Sequence, residues 1–116
     1  MNTDSPIKAL EVLRAEDLFG SDGFFYTGVQ DEMQKQTLSE QFDQVIILFI
    51  DMCGKQASHQ QMLDLLRSTL GRFDRVSFDT EDAERLMGNF EKIMDCIGLE
   101  SSDGALDDWM YGFDVS

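Results

Sequence analysis

The chain has 116 residues, 42% of them hydrophobic, with one proline and a formal net charge of −14 from 23 acidic and 9 basic side chains. Such a chain is one globular domain, spanning 1–116, that can bury a core without a metal or disulfide. The charge disfavours nucleic acid and anionic membranes as partners, and no apolar run approaches the roughly 20 residues needed to span a bilayer.

The N-terminal MNTDSPIKALE lacks the basic start and apolar core of a signal peptide, so a cytoplasmic location is expected. Ser5-Pro6 predicts a helix start, with Ser5 as cap and Pro6 at the first helical position. Ile7, Leu10, Leu13 and Val12 would form its stripe, and Phe19-Gly20 its end. The segment GSDGFFYTG reads as a loop whose aromatics Phe24, Phe25 and Tyr26 either plug the core or form a docking patch. Val29 to Cys53 predicts a long helix. Val29, Met33, Thr37 and Leu38 give its first half a thin stripe, and FDQVIILFIDMC gives its second half an almost wholly apolar surface. VIILFI has strand propensity too, but no comparable run exists for it to pair with. A break near Leu38-Ser39 is admissible, and Gly54 is the expected stop.

Ser58 with Gln61 has the spacing of a capping box. Met62, Leu65, Leu66, Thr69, Leu70 and Phe73 continue as a helical stripe. Ala83, Leu86, Met87, Phe90, Ile93, Met94 and Ile97 form another at three- and four-residue steps. Asp79 or Thr80 would cap this fourth helix, Glu81, Asp82 and Glu84 suit the positive end of its dipole, and Gly98 would end it. Ser101 to Gly104 is a turn cluster, and Ser102 would cap a short helix from Ala105 to Tyr111. The expected fold is all-α: a compact bundle of four main helices plus a short C-terminal helix.

The run IGLESSDGALDDWMYGFD, with DTEDAER ahead of it and FFYTGVQDE near the front, resembles a family of small, uncharacterised bacterial domains. Members are about this length and end in a similar SSDG…YGFD tail. The resemblance runs over most of the chain and implies a bacterial, single-domain, mainly helical protein. It brings no activity and no functional residue with it.

Motifs for catalysis, cofactors or metals are missing from the sequence. There is no phosphate loop, no GxSxG, no HExxH and no calcium-loop pattern. His59 falls at a polar helix start, where an exposed first-turn residue is expected. Cys53 and Cys96 sit at apolar helix ends without CxxC spacing, as small hydrophobes do. The acids of DTEDAER are consecutive, so they fan around a helix start. Arg67, Arg72 and Arg75 are the only local concentration of bases and are expected to pair with neighbouring carboxylates.

The tail is the most one-sided segment, with five acids and no base in residues 99–116. Aromatic anchors among charges are the composition of an interaction hot spot. Glu100, Asp103, Asp107, Asp108, Tyr111 and Asp114 are therefore the candidate partner-binding residues. The competing role is structural, with Trp109, Met110 and Phe113 clamping the tail to the bundle. Both roles hold if Tyr111 and the aspartates face outward. The function expected is a non-enzymatic, protein-binding domain for a basic partner, of the kind that immunity-type inhibitors exemplify. The alternatives are a small-ligand receptor with a pocket of Phe, Met and carboxylates, or a module that oligomerises through the Met-rich face of Leu86 to Ile97. Oligomeric state is left open.

Overall fold

The computed structural model describes residues 4–16, 18–19 and 32–111. The described residues form helices α1 (Asp4–Arg14), α2 (Glu32–Gly54), α3 (His59–Leu70), α4 (Thr80–Ile97) and α5 (Ala105–Tyr111), with a 3-10 turn at Arg75–Ser77 between α3 and α4. The all-α bundle expected from the sequence is the observed fold. VIILFI lies within α2, so its lack of a pairing strand outweighs its strand propensity. Helix α1 packs on α2 and α4, and α5 lies against α3 and α4. None of the described helices is long and apolar enough to cross a membrane.

The core is built around aromatic rings meeting edge to face. Phe19 meets Phe42 at 5.9 Å between centroids, Phe42 meets Phe90 at 5.2 Å, and Phe90 meets Phe73 at 6.0 Å. Phe73 then contacts Phe78 at 6.4 Å, and Phe78 meets Trp109 at 5.7 Å. Each offset or edge contact adds about 0.5–1.5 kcal/mol beyond the area it buries. The row connects the turn after α1, through α2 and α4, to the last helix.

Several helix ends fall where their capping chemistry was legible. Ser58 Oγ accepts from the Gln61 amide at 3.2 Å while the Ser58 amide donates to Gln61 Oε1 at 2.8 Å, which completes the capping box. Asp79 Oδ1 accepts from the Asp82 amide at 2.8 Å. Gly98 has φ of 72°, and the amides of Gly98 and Leu99 donate to Asp95 and Met94 at 3.4 and 2.9 Å. That pair of bonds is a Schellman motif, and the buried Leu99 folds back over the final turn as expected.

Other expectations are corrected. Helix α1 begins at Asp4, which leaves Ser5 and Pro6 inside the first turn, and it ends at Arg14 rather than near Phe19. Continued as a helix, the chain would carry Phe19 about 180° around from Leu10. The turn after Arg14 instead brings both into the core. Asn89, buried on α4, donates from Nδ2 to the Leu18 carbonyl at 3.2 Å and holds that turn in place. Its Oδ1 has no hydrogen-bond partner among the described residues. Val12 is 66% exposed, off the stripe that Leu10 and Leu13 define.

Helix α2 has no break at Leu38-Ser39. Its buried face is set by Leu38, Phe42, Val45, Ile46, Phe49 and Cys53. Met33 lies about 180° around the helix from Phe42 and is 80% exposed, and Thr37 is exposed as well. Val29 and the loop aromatics Phe24, Phe25 and Tyr26 lie outside the described residues. The stop after α2 also differs. Gly54 is the last helical residue, and the left-handed position is Gln56, with φ of 56°. The Gln56 amide donates to Cys53 at 3.1 Å and the Ala57 amide to Met52 at 3.0 Å, so Gln56 occupies the place that glycine usually takes in this motif. The Lys55 amide still bonds to the Asp51 carbonyl, and its ammonium meets the Asp51 carboxylate at 2.9 Å, which carries the turn past the glycine. Left-handed backbone crowds a Cβ against the following carbonyl. Gln56→Gly is therefore expected to stabilise the domain by roughly 0.5–1 kcal/mol after the entropy of the unfolded glycine is subtracted. The check is the urea midpoint, and a midpoint that falls would contradict the strain.

Candidate functional site

Helix α5 has only 7 residues, too few to be stable alone, so its position depends on what holds it. Two residues with positive φ, Asp103 at 55° and Gly104 at 84°, turn the chain into it. Ser102 Oγ accepts from the Leu106 amide at 3.3 Å and caps its start. Three long-range bonds then fix it from outside. Arg67 donates to the Asp103 carbonyl at 2.8 Å, Arg75 Nε donates to the Met110 carbonyl at 3.1 Å, and Trp109 Nε1 donates to the Phe73 carbonyl at 2.9 Å. The Arg75 guanidinium also lies over the Trp109 ring at 5.9 Å and donates to the Phe78 carbonyl at 3.1 Å. The tail aromatic at position 109 is thus a clamp.

Docked in this way, α5 forms one wall of a groove of about 390 Å³. It is lined by Leu106, Asp107, Met110 and Tyr111 of α5, by Glu84, Met87 and Glu91 of α4, and by Ser102 of the connecting turn. Met87 and Met110 are buried and form an apolar floor. The rim carries three carboxylates, and among the described residues Glu84, Glu91 and Asp107 make no ion pair. Tyr111, 59% exposed, offers a ring and a phenol at the same mouth.

The residues expected to form a binding surface divide into groups. Asp107 and Tyr111 line the groove. Asp103 and Asp108 turn toward Arg67, each with a carboxylate oxygen 3.9 Å from the guanidinium, so their charge is partly offset. Glu100 is exposed in the turn after α4 and does not line the groove. Asp114 and Phe113 lie outside the described residues. Glu84 and Glu91, which the sequence presents only as helix-surface acids, also line the groove, and Met87 belongs to both the core and the groove. Their signal was present: positions 84, 87 and 91 follow the i, i+3, i+7 spacing of one helical face. The arginines also do more than pair with carboxylates, since Arg67 and Arg75 each donate to a backbone carbonyl of the tail.

The remaining reactive groups point elsewhere. Cys53 is buried and Cys96 half-buried, and both are free thiols. Burial pushes both thiols above their ordinary range, and Asp95 and Glu16 add to the effect at Cys96, so neither is poised as a nucleophile. His59 is exposed at the start of α3. Arg14 forms a two-pronged pair with Asp43, at 2.8 and 3.3 Å, that ties α1 to α2 and raises the guanidinium pKa through that hydrogen bond and charge. Beside it is a cavity of only about 60 Å³. No cluster of three metal-binding side chains occurs among the described residues.

Over residues 1–114 the sequence matches the family described as Domain of unknown function (DUF4844). The chain belongs to that family. Its fold is also that of a crystal structure of a DUF3571 family protein from Acinetobacter baumannii, with a TM-score of 0.92 and 32% sequence identity. The match covers 97% of this chain and 94% of that one, so the DUF4844 bundle and the Acinetobacter protein correspond almost throughout. No curated protein matches the chain.

Proposed function

We propose that this domain is a protein-binding module that captures a basic partner in the groove between α4 and α5, acting by occupation and not by catalysis. The observation that carries this reading is the groove itself: an apolar floor of Met87 and Met110 beneath three carboxylates that make no ion pair among the described residues. A basic side chain entering there meets carboxylates whose charge no partner among the described residues has taken up. The wider field, −14 overall, steers a cationic partner toward the domain and repels nucleic acid and anionic lipid. An immunity-type inhibitor, which blocks a basic protein by binding it, is the role that this combination fits by analogy.

The test is affinity capture from a lysate of the source organism at low and high salt. A basic protein retained at low salt and weakened at high salt is the expected result. Against that partner, the combined change Glu84→Gln, Glu91→Gln and Asp107→Asn is expected to lower affinity by roughly 3- to 100-fold and to flatten its salt dependence, at about 0.2–1 kcal/mol per exposed pair. Unchanged affinity and salt slope in that variant would place the contact elsewhere.

The same groove is of a size that holds a small ligand. The oligomerisation alternative has less behind it, because Leu86, Phe90, Ile93 and Met94 are buried in the core and, of that stretch of α4, Met87 reaches the groove only as its floor.

A further inference from the structure

Resting on the reading of the groove as a protein-capture site, we infer that the element it takes from the partner is a basic amphipathic helix. Such a helix would present two cationic side chains seven residues apart on either side of an apolar pair. The α4 wall sets this pattern. Glu84 and Glu91 are seven residues apart, which places them on one face of the helix about 10.5 Å apart along its axis. Met87 lies between them and forms the floor. Across the groove, α5 is itself 7 residues long, so the opposing wall is also about 10.5 Å in length. The site is therefore two helical turns long, with an acid near each end of one wall and thioethers between. Asp107 adds a third acid on the α5 wall, and Leu106 adds apolar surface there.

A partner helix laid along this mouth presents side chains at the same axial repeat. Lys or Arg at i and i+7 then reaches Glu84 and Glu91 together, while apolar residues at i+3 and i+4 descend onto Met87 and Met110. This is helix-in-groove recognition, and thioethers suit it because they adapt to whichever apolar side chain arrives. An extended segment has no such match. Its side chains alternate faces every residue, so two cations on the acid face would be separated by positions that bring at most one side chain to the floor.

The experiment uses two alanine-based helical peptides of equal composition and charge. The matched peptide has Lys at i and i+7 with Leu at i+3 and i+4. The control has the second Lys moved to i+5, about 140° around the helix from the first. Each is titrated into the isotopically labelled domain at low salt, and affinity is read from amide shifts at Glu84, Met87, Glu91, Leu106, Asp107 and Tyr111. The matched peptide is expected to bind about 1.5- to 5-fold more tightly, the worth of the one exposed pair that the control gives up, and Glu84→Gln with Glu91→Gln is expected to erase the difference. Equal binding of both peptides, still weakened by the Gln changes, would overturn the helical register and leave the acidic capture site standing. Groove shifts produced equally well by a simple aliphatic diamine would overturn the helix in favour of a small cationic ligand. No saturable shift from any of the three would sink both the register and the groove.

Discussion

Replacing Phe90 with alanine is expected to remove about 3–5 kcal/mol of stability, the range for truncating a large aromatic in a packed core. Phe90 is 0% exposed and sits at the middle of the ring network, edge-on to Phe42 of α2 and to Phe73 after α3. Deleting the ring removes both contacts and opens a cavity between three parts of the chain, none of which can close it without moving a helix. A domain of this size has about 5–15 kcal/mol in total, so the variant would lose between about a fifth and all of its stability. Urea unfolding measures it: the midpoint should fall sharply while the slope stays the same. Phe90→Leu conserves much of the volume and should cost about 1 kcal/mol. A loss below about 1 kcal/mol for the alanine variant would mean that the rings do not carry the core.

That network also shows what the sequence could and could not disclose. Phe42, Phe73 and Phe90 were assigned inward because each falls on a helical stripe or next to one, and periodicity is a local signal. Capping was equally local, and so Ser58, Asp79, Gly98 and Ser102 were all placed correctly. Gln56 was not, because glycine at 54 is the residue type that the motif prefers and nothing in the sequence says that the chain runs two residues past it. Met33 and Val12 are apolar in type but out of phase with the large aromatics and leucines, and phase decides which face is buried. The site divides in the same way. Asp107 and Tyr111 could be picked from tail composition, whereas Glu84 and Glu91 acquire their role only when α5 docks across α4. That docking depends on Arg67 and Arg75 reaching backbone carbonyls 36 and 35 residues away, and backbone acceptors leave no trace in a sequence.

Trp109→Ala is expected to release α5 while leaving the rest of the bundle folded. Three contacts end at this side chain: the edge contact with Phe78, the bond from Nε1 to the Phe73 carbonyl, and the Arg75 guanidinium over the ring. At about 0.5–1.5, 0.5–1.5 and 0.5–1 kcal/mol respectively, they sum to roughly 1.5–4 kcal/mol. A 7-residue helix has no stability of its own to set against that loss. The observable is hydrogen exchange: amides of residues 105–111 should lose protection while those at the centre of α4 keep theirs, a local opening rather than global unfolding. Trp109→Phe separates the terms. It keeps an aromatic ring against Phe78 but leaves the Phe73 carbonyl without its donor, and should cost about 1 kcal/mol with α5 still docked. If α5 stays protected in the alanine variant, then Arg67 and Arg75 hold it without the ring. The consequence for function follows from the geometry. With α5 released, Glu84 and Glu91 remain on α4 but face open solvent with no opposing wall, where a charge pair is worth little. Adding Glu84→Gln and Glu91→Gln to Trp109→Ala should then weaken a captured partner far less than the same pair does in the intact domain. Strict additivity of the two sets of changes would show instead that the carboxylates act independently of the groove.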